Sequence, residues 1–266
     1  DTVVKWELKG NRVFLHTVNF GISADPSSPI AKAVKDANYD PILMSFNVAT
    51  FSKDGDPVIE VTNLLLRDLQ EFSPRQRINA QGVDQSRSFI EQIVAYPDNV
   101  EAEVTMTYVR GGGGRGGDGG PGGGGPGGAT RSSSATVVLH HSLVRLPEKA
   151  MIARRFDERI GYFTDRTTDY TRDPFRSERF RFINRWRLEK KDPAASMSEP
   201  VQPIVYWMDK NIPVRYRKAV EEGILEWNKA FEKIGFKNAV VAKQQSDEAD
   251  WDNMDAKHAS IRWFVG

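Results

Sequence analysis

The chain of 266 residues has no cysteine. That absence excludes disulfides, thiolate metal sites and a cysteine nucleophile, and it leaves the redox compartment undecided. A surplus of either charge is also missing: 37 Lys and Arg stand against 36 Asp and Glu, for a net charge of +1. No global field therefore recruits nucleic acid, a membrane surface or an acidic substrate, and any such binding is local. No apolar run approaches the ~20 residues that cross a bilayer, so no membrane span is predicted. The opening DTVVKWELKG lacks the basic and apolar regions of an export signal, so an exported form would already have lost its signal peptide. There is no GxSxG elbow, no Walker loop and no GxGxxG after a strand.

What the chain does have is a period-2 pattern through its first half. TVVKWEL and VFLHTVNF flank the turn Lys9-Gly10-Asn11-Arg12 and predict a hairpin. SPIAKAVKDANY predicts a short amphipathic helix with Ile30, Val34 and Ala37 on one side. ILMSFNVATF and PVIEVTNLLL, joined by Lys53-Asp54-Gly55-Asp56, predict a second hairpin running into a helical turn. SFIEQIVAYP and NVEAEVTMTYV give a third pair, in which Val100, Ala102, Val104, Met106 and Tyr108 share a face opposite Glu101, Glu103, Thr105 and Thr107. The expectation is an antiparallel sheet with one wet face.

The stretch GGGGRGGDGGPGGGGPGG, residues 111–128, interrupts this pattern, and SATVVLHHSLV resumes the alternation beyond it. Glycine at that density cannot repay its ordering entropy, which suits an insertion at a hairpin tip. An RGG-type RNA tether built on Arg110 and Arg115 would need interleaved aromatics, and there are none. Residues 147–202 then mix arginines with aromatics. Read as a strand, RFRFINRWRLE puts Phe180, Phe182, Asn184, Trp186 and Leu188 on one face and Arg179, Arg181, Arg185 and Arg187 on the other. That pattern fits a strap that packs its aromatics while its arginines reach carboxylates or water, in preference to a nucleic-acid surface.

Beyond it, PIVYWM reads as a strand covered on both faces. Pro213 suits a first helical turn. Tyr216, Val220, Gly223, Ile224, Trp227, Phe231 and Ile234 mark one buried stripe, and Gly235 can end the helix in a left-handed cap. NAVVAK is a second strand and ASIRWFV a third, so strand, helix and strand imply a right-handed parallel crossover.

The runs HHSLVRLPEKAMIARRFDERIGYF, RWRLEKKDPAASMSEPVQPIVYWMDKNIP, GILEWNKAFEKIGF and MDAKHASIRWFVG closely resemble secreted bacterial zinc-dependent metalloproteases of the metzincin, matrixin-like type. Residues 139–266 carry the resemblance strongly and the earlier part in outline, with the glycine-rich insertion as a departure. It implies an α+β chain in three parts. These are an antiparallel accessory domain over residues 1–146, an Arg- and aromatic-rich strap over 147–202, and the first βαβ part of a metzincin-like catalytic domain over 203–266. It also implies a secreted or periplasmic parent that hydrolyses peptide bonds with a zinc-bound water. The family's zinc motif, HExxHxxGxxH, does not occur in this sequence and lies in the family downstream of the strand matching ASIRWFV. The expected partners are thus the remainder of the catalytic domain, on the same or a cleaved chain, and a peptide or protein substrate. The competing reading is a non-catalytic protein-binding or inhibitory module resembling a pro-segment.

No catalytic, cofactor or metal residue is assigned within the chain itself, which is expected to be inactive alone. His140 and His141 are neighbours in a strand and point to opposite faces; His16 lies alone in a strand and His258 in a loop beside Lys257. In the acidic stretch, Asp247, Glu248, Asp250, Asp252, Asn253 and Asp255 could coordinate calcium or form a solvated loop. The EF-hand spacing from Asp250 fails, because Asp255 stands where glycine is needed and Ile261 where the last glutamate is needed.

Overall fold

Gly10 adopts φ 59° and closes a tight turn between β1 (Val4–Lys9) and β2 (Arg12–Thr17), which pair antiparallel as their alternation predicts. The structure is a computed structural model that describes residues 2–110, 133–171, 178–249, 251 and 253–264. It is a mixed α+β protein, mostly antiparallel sheet with few helices, and its chain falls into two compact units. The first comprises Asp1–Val94, Glu101–Ser142 and Arg166–Arg179; the second comprises Ala95–Val100, Leu143–Asp165 and Phe180–Gly266.

In the first unit, β3 (Ile22–Ser23) leads to α1 (Ala31–Ala37), and β4 (Ile42–Phe51) pairs antiparallel with β2 and with β5 (Pro57–Ile59) across a turn where Gly55 takes φ 86°. The order is β1-β2-β4-β5. Leu15, Met44 and Phe46 from these strands pack on Leu64 of α2 (Thr62–Leu66), because residues two apart share a face. The predicted apolar side of α1 is only partly covered: Ile30 stands at its N-cap, Val34 is half-buried and Ala37 is exposed.

After α3 (Arg75–Ile78), the long strands β6 (Ala80–Ala95), β7 (Asn99–Arg110) and β8 (Ser134–Val144) form a sheet with β7 in the centre. Ala102, Val104, Met106 and Tyr108 form its core with Leu65, while Val100 is 39% exposed. The expected wet face is not wet at β7. Glu101, Thr105 and Thr107 are all buried as well. Polar side chains from both neighbouring strands close over them: Thr105 donates to Glu91, Ser88 Oγ accepts from the Thr107 amide, and the Thr107 and Thr136 hydroxyls lie 2.9 Å apart. The Arg110 amide donates to the Ser133 carbonyl at 2.8 Å, so the flanks of the glycine-rich insertion are paired. Residues 111–128 themselves lie outside the described residues. Farther along, β9 (Thr164–Asp169) pairs parallel with β3.

The second unit resumes at Phe180 within β10 (Glu178–Ile183), which covers only the first half of the predicted strap strand; residues 184–189 are not strand. The arginines differ from expectation too. Arg155 lies over Phe180 and Arg181 over Phe156, each 4.3 Å from the ring centroid. Arg185 and Arg187 donate to the carbonyls of Ile152 and Lys149, while Arg181 also meets a carboxylate, Glu158. A planar guanidinium serves a carbonyl or a ring face as well as a carboxylate, and alternation alone cannot choose among them. Trp186 packs edge-on to Tyr206, and Leu188 joins the cluster built on Ile204.

β11 (Ile204–Met208) is the central strand of a parallel sheet, order β12-β11-β13, with β12 (Val240–Gln244) and β13 (Ser260–Ile261) on either side. The crossover between β11 and β12 is α4 (Val214–Leu225) followed by α5 (Asn228–Lys233). Pro213 is the N-cap and Gly235, at φ 87°, ends the second segment. Val220, Ile224 and Phe231 face the sheet, whereas Tyr216, Trp227 and Ile234 are 37%, 63% and 64% exposed, so the single buried stripe splits. β13 is also shorter than predicted: Arg262, Trp263 and Phe264 leave the sheet, and Val265 and Gly266 lie outside the described residues.

Candidate functional site

The parallel sheet carries one polar and aromatic centre. Trp207 of β11 is in register with Lys243 of β12 and Ser260 of β13, on the face opposite the cluster that holds Tyr206 and Met208. Trp251 packs edge-on against Trp207 with ring centroids 5.0 Å apart, and the His258 imidazole stacks on Trp251 at 3.9 Å. The Lys243 ammonium lies 5.0 Å from the Trp207 ring centroid, within cation–π range.

Asp255, 7% exposed, organises this centre. Its Oδ1 accepts from the Lys257 amide and its Oδ2 from His258 Nδ1, both at 3.0 Å. With Nδ1–H donated to a carboxylate, the orientation of the ring is fixed. The surrounding loop is tied down from below. Asn99 donates to the Met254 carbonyl at 2.8 Å and accepts from the Ala256 amide at 3.0 Å, and Asp98 pairs with Arg145 and Lys257. Those two cations, Arg145 first, hold the Asp98 carboxyl below its usual range. At the ends of β11 and β12, Gln245 accepts from the Lys210 amide and donates to the Trp251 carbonyl, and Asp209 accepts from the Asn211 amide.

Chemically, the arrangement holds an imidazole in one orientation against an indole. It is not a nucleophile relay, since the Ser260 hydroxyl donates to the His258 carbonyl, 2.9 Å away, and not to the ring. Of the calcium candidates, Asp247 and Glu248 are exposed, the Asn253 Oδ1 is sealed without a hydrogen-bond partner, and Asp255 is engaged as described. Asp250 and Asp252 lie outside the described residues.

The other histidines stand apart. His16 has Nδ1 3.2 Å from the Asp40 carbonyl and Nε2 3.1 Å from Glu7, whose carboxyl is held low chiefly by Lys9. His140 and His141 do take opposite faces. His140 Nε2 donates to Glu101 Oε2 at 2.6 Å, beside Ser142, which donates to Oε1 at 2.6 Å. His141 lies on the core face among Leu64, Phe72, Met106 and Tyr108. Among the described residues, no three His, Asp or Glu side chains converge where a metal ion could be held.

The Asp255–His258 pair escaped the sequence reading because a bond between residues three apart in a loop leaves no periodic trace. Trp251, an aromatic inside an acidic run, was the available signal. No curated protein and no solved structure gives a significant match to the chain. A family model does match, over residues 1–191, which end before β11, and the chain therefore belongs to the family described as a domain of unknown function, DUF5117.

Proposed function

We propose that this chain is the accessory and leading part of a secreted zinc metallopeptidase of the metzincin type, whose HExxHxxGxxH helix is carried by sequence beyond residue 266. The observation that supports this most is the parallel module β11–α4–α5–β12 with β13 on the other side of β11. It lies in the segment whose words resemble the start of that catalytic domain. The residues present do not fit the metal: the four histidines are spread over separate strands and a loop, each with its own surroundings, and no ligand triad forms among the described residues. Zinc would belong to the parent protein, and this chain would supply scaffold, with the remainder of the catalytic domain and a peptide substrate as its partners.

A second reading, a protein-binding or inhibitory module, draws support from exposed apolar side chains on the β6–β7–β8 sheet, with Phe89 51%, Ile93 50% and Val138 58% exposed. One experiment separates the two. The protein from the full reading frame is assayed for bound zinc and for casein hydrolysis, and the 266-residue chain is then added in trans. Zinc at one per chain with chelator-sensitive hydrolysis supports the first reading. A reading frame with no HExxHxxGxxH, or a full-length protein without zinc or hydrolysis, overturns it, and inhibition in trans would then favour the second.

A further inference from the structure

On the core face of β8, the His141 ring is half-buried, and its Nε2 is sealed from solvent with no hydrogen-bond partner. The space beside it, about 10 Å³, is lined by Leu64, Leu69, Phe72, Met106, Tyr108 and Leu139, with Arg67 and Asp68 at its edge. That volume admits one water at most, so a proton on Nε2 would find at most one solvent partner there.

Nor does a neighbouring charge rescue it. Asp68 is the carboxylate on that side, but Arg75 Nε pairs with its Oδ2 and the Tyr108 hydroxyl donates to its Oδ1 at 3.1 Å. Burial, then Asp68, pushes the Tyr108 phenol upward, so it stays a donor. Arg67 and the adjacent His140 contribute only positive charge. Burial first, then His140, accordingly hold the His141 imidazole below its ordinary value.

The lid over this ring is tied to the sheet by a side chain, Asp68 through Tyr108, and not by backbone pairing. Residues 67–72 follow α2, and their backbone bonds are local, Arg67 to the Asn63 carbonyl, Leu69 to the Arg67 carbonyl and Phe72 to the Leu69 carbonyl, with Phe72 44% exposed. We propose that residues 67–72 are an acid-released flap over the core face of the β7–β8 pair, with His141 as its trigger. When the flap lifts, the ring reaches water and takes a proton; when it is closed, the ring stays neutral. The open state therefore binds more protons, and closure is favoured fully above the ordinary imidazole value of ~6.5 and weakens as pH falls from there toward the lowered one. Within that window the opening equilibrium rises about tenfold per pH unit, the slope for one proton.

Hydrogen exchange of the intact chain tests this, read by mass spectrometry on peptides covering residues 62–72 and corrected for intrinsic exchange rates at pH 7.5, 6.5 and 5.5. In the native sequence, opening should grow several-fold between the first and last pH. His141→Gln and His141→Phe should flatten that dependence, while His140→Gln, on the other face, should retain it. A native protein with pH-independent opening overturns the proposal, as does a His141→Gln protein with the native slope. Should neither His141 variant fold, the ring is titrated by NMR in the native chain, and a midpoint at or above the ordinary value overturns it equally.

Discussion

Gly235 is where a single methyl group should do the most damage. It holds φ 87° at the end of α5, a region in which an L side chain strains the backbone by about 1–2 kcal/mol. There is no room for that side chain either. A Cβ at this position would lie 2.5 Å from the Ser196 carbonyl oxygen and 2.8 Å from Lys190 Nζ. Lys190 cannot simply swing away, because its ammonium donates to the Ala195 and Ser196 carbonyls at 2.8 and 3.0 Å and so closes the 190–196 turn. The oxygen cannot retreat freely, since the Ser198 amide donates to the Gly235 carbonyl and the Lys237 amide to the Ser198 carbonyl. Overpacking of this kind costs roughly 1–3 kcal/mol, so Gly235→Ala should lose about 3 kcal/mol in all. Urea unfolding followed by tryptophan fluorescence measures it, since Trp186, Trp207, Trp227, Trp251 and Trp263 all lie in the second unit. Gly223→Ala is the matched control: that glycine lies in exposed α4 with nothing within 4 Å of where the added methyl would stand, and alanine there should gain about 0.5–1 kcal/mol. If Gly235→Ala costs less than about 1 kcal/mol, the turn is not wedged against the helix end and the reasoning fails.

Asn228 clamps the start of β12 with two bonds, Nδ2 to the Val240 carbonyl and Oδ1 from the Val240 amide, both 2.9 Å. Asn228→Ala strands both groups of a buried peptide and should cost roughly 2–4 kcal/mol in the same assay, with Asn228→Asp, which keeps the acceptor, losing less. Glu101→Ala removes the carboxylate that accepts from His140 and Ser142, and a loss of roughly 1–3 kcal/mol in thermal or urea unfolding is expected. Deleting residues 112–127 shortens the connection between β7 and β8 without touching the Arg110–Ser133 pairing, so the melting temperature should hold or rise slightly; a fall of several degrees would refute this.

Much of this fold was legible because its signals are local. The turns at Gly10 and Gly55 and the cap at Gly235 each need a backbone conformation that glycine adopts freely, and each glycine takes positive φ. The run Ala102, Val104, Met106 and Tyr108 was legible because a two-residue period survives wherever one face meets a core. What alternation could not show is that the opposite face of β7 is also closed, because that depends on partners supplied from β6 and β8. The same holds for the candidate centre. Trp207 and Lys243 sit across a strand pair, and Trp251 and His258 arrive from a loop, so their meeting rests on parallel register and loop path.

The helical crossover shows the limit most clearly. Tyr216, Val220, Ile224, Trp227, Phe231 and Ile234 recur at helical steps, but steps of three and four accommodate two adjacent rows as readily as one. In the structure, one row, Val220, Ile224 and Phe231, packs on Ile204, Met208 and Val240. The other row, Tyr216, Trp227 and Ile234, lies toward solvent, and Tyr216 stacks on Trp263 at 5.2 Å as the chain leaves β13. Hydrophobic period measures how often a face recurs, not how wide it is, and here the width decides which residues the sheet buries. Asn228 lies on the buried side of this division: it bonds both groups of the Val240 peptide, Phe231 of the same segment packs inward, and Trp227 and Ile234 stay exposed.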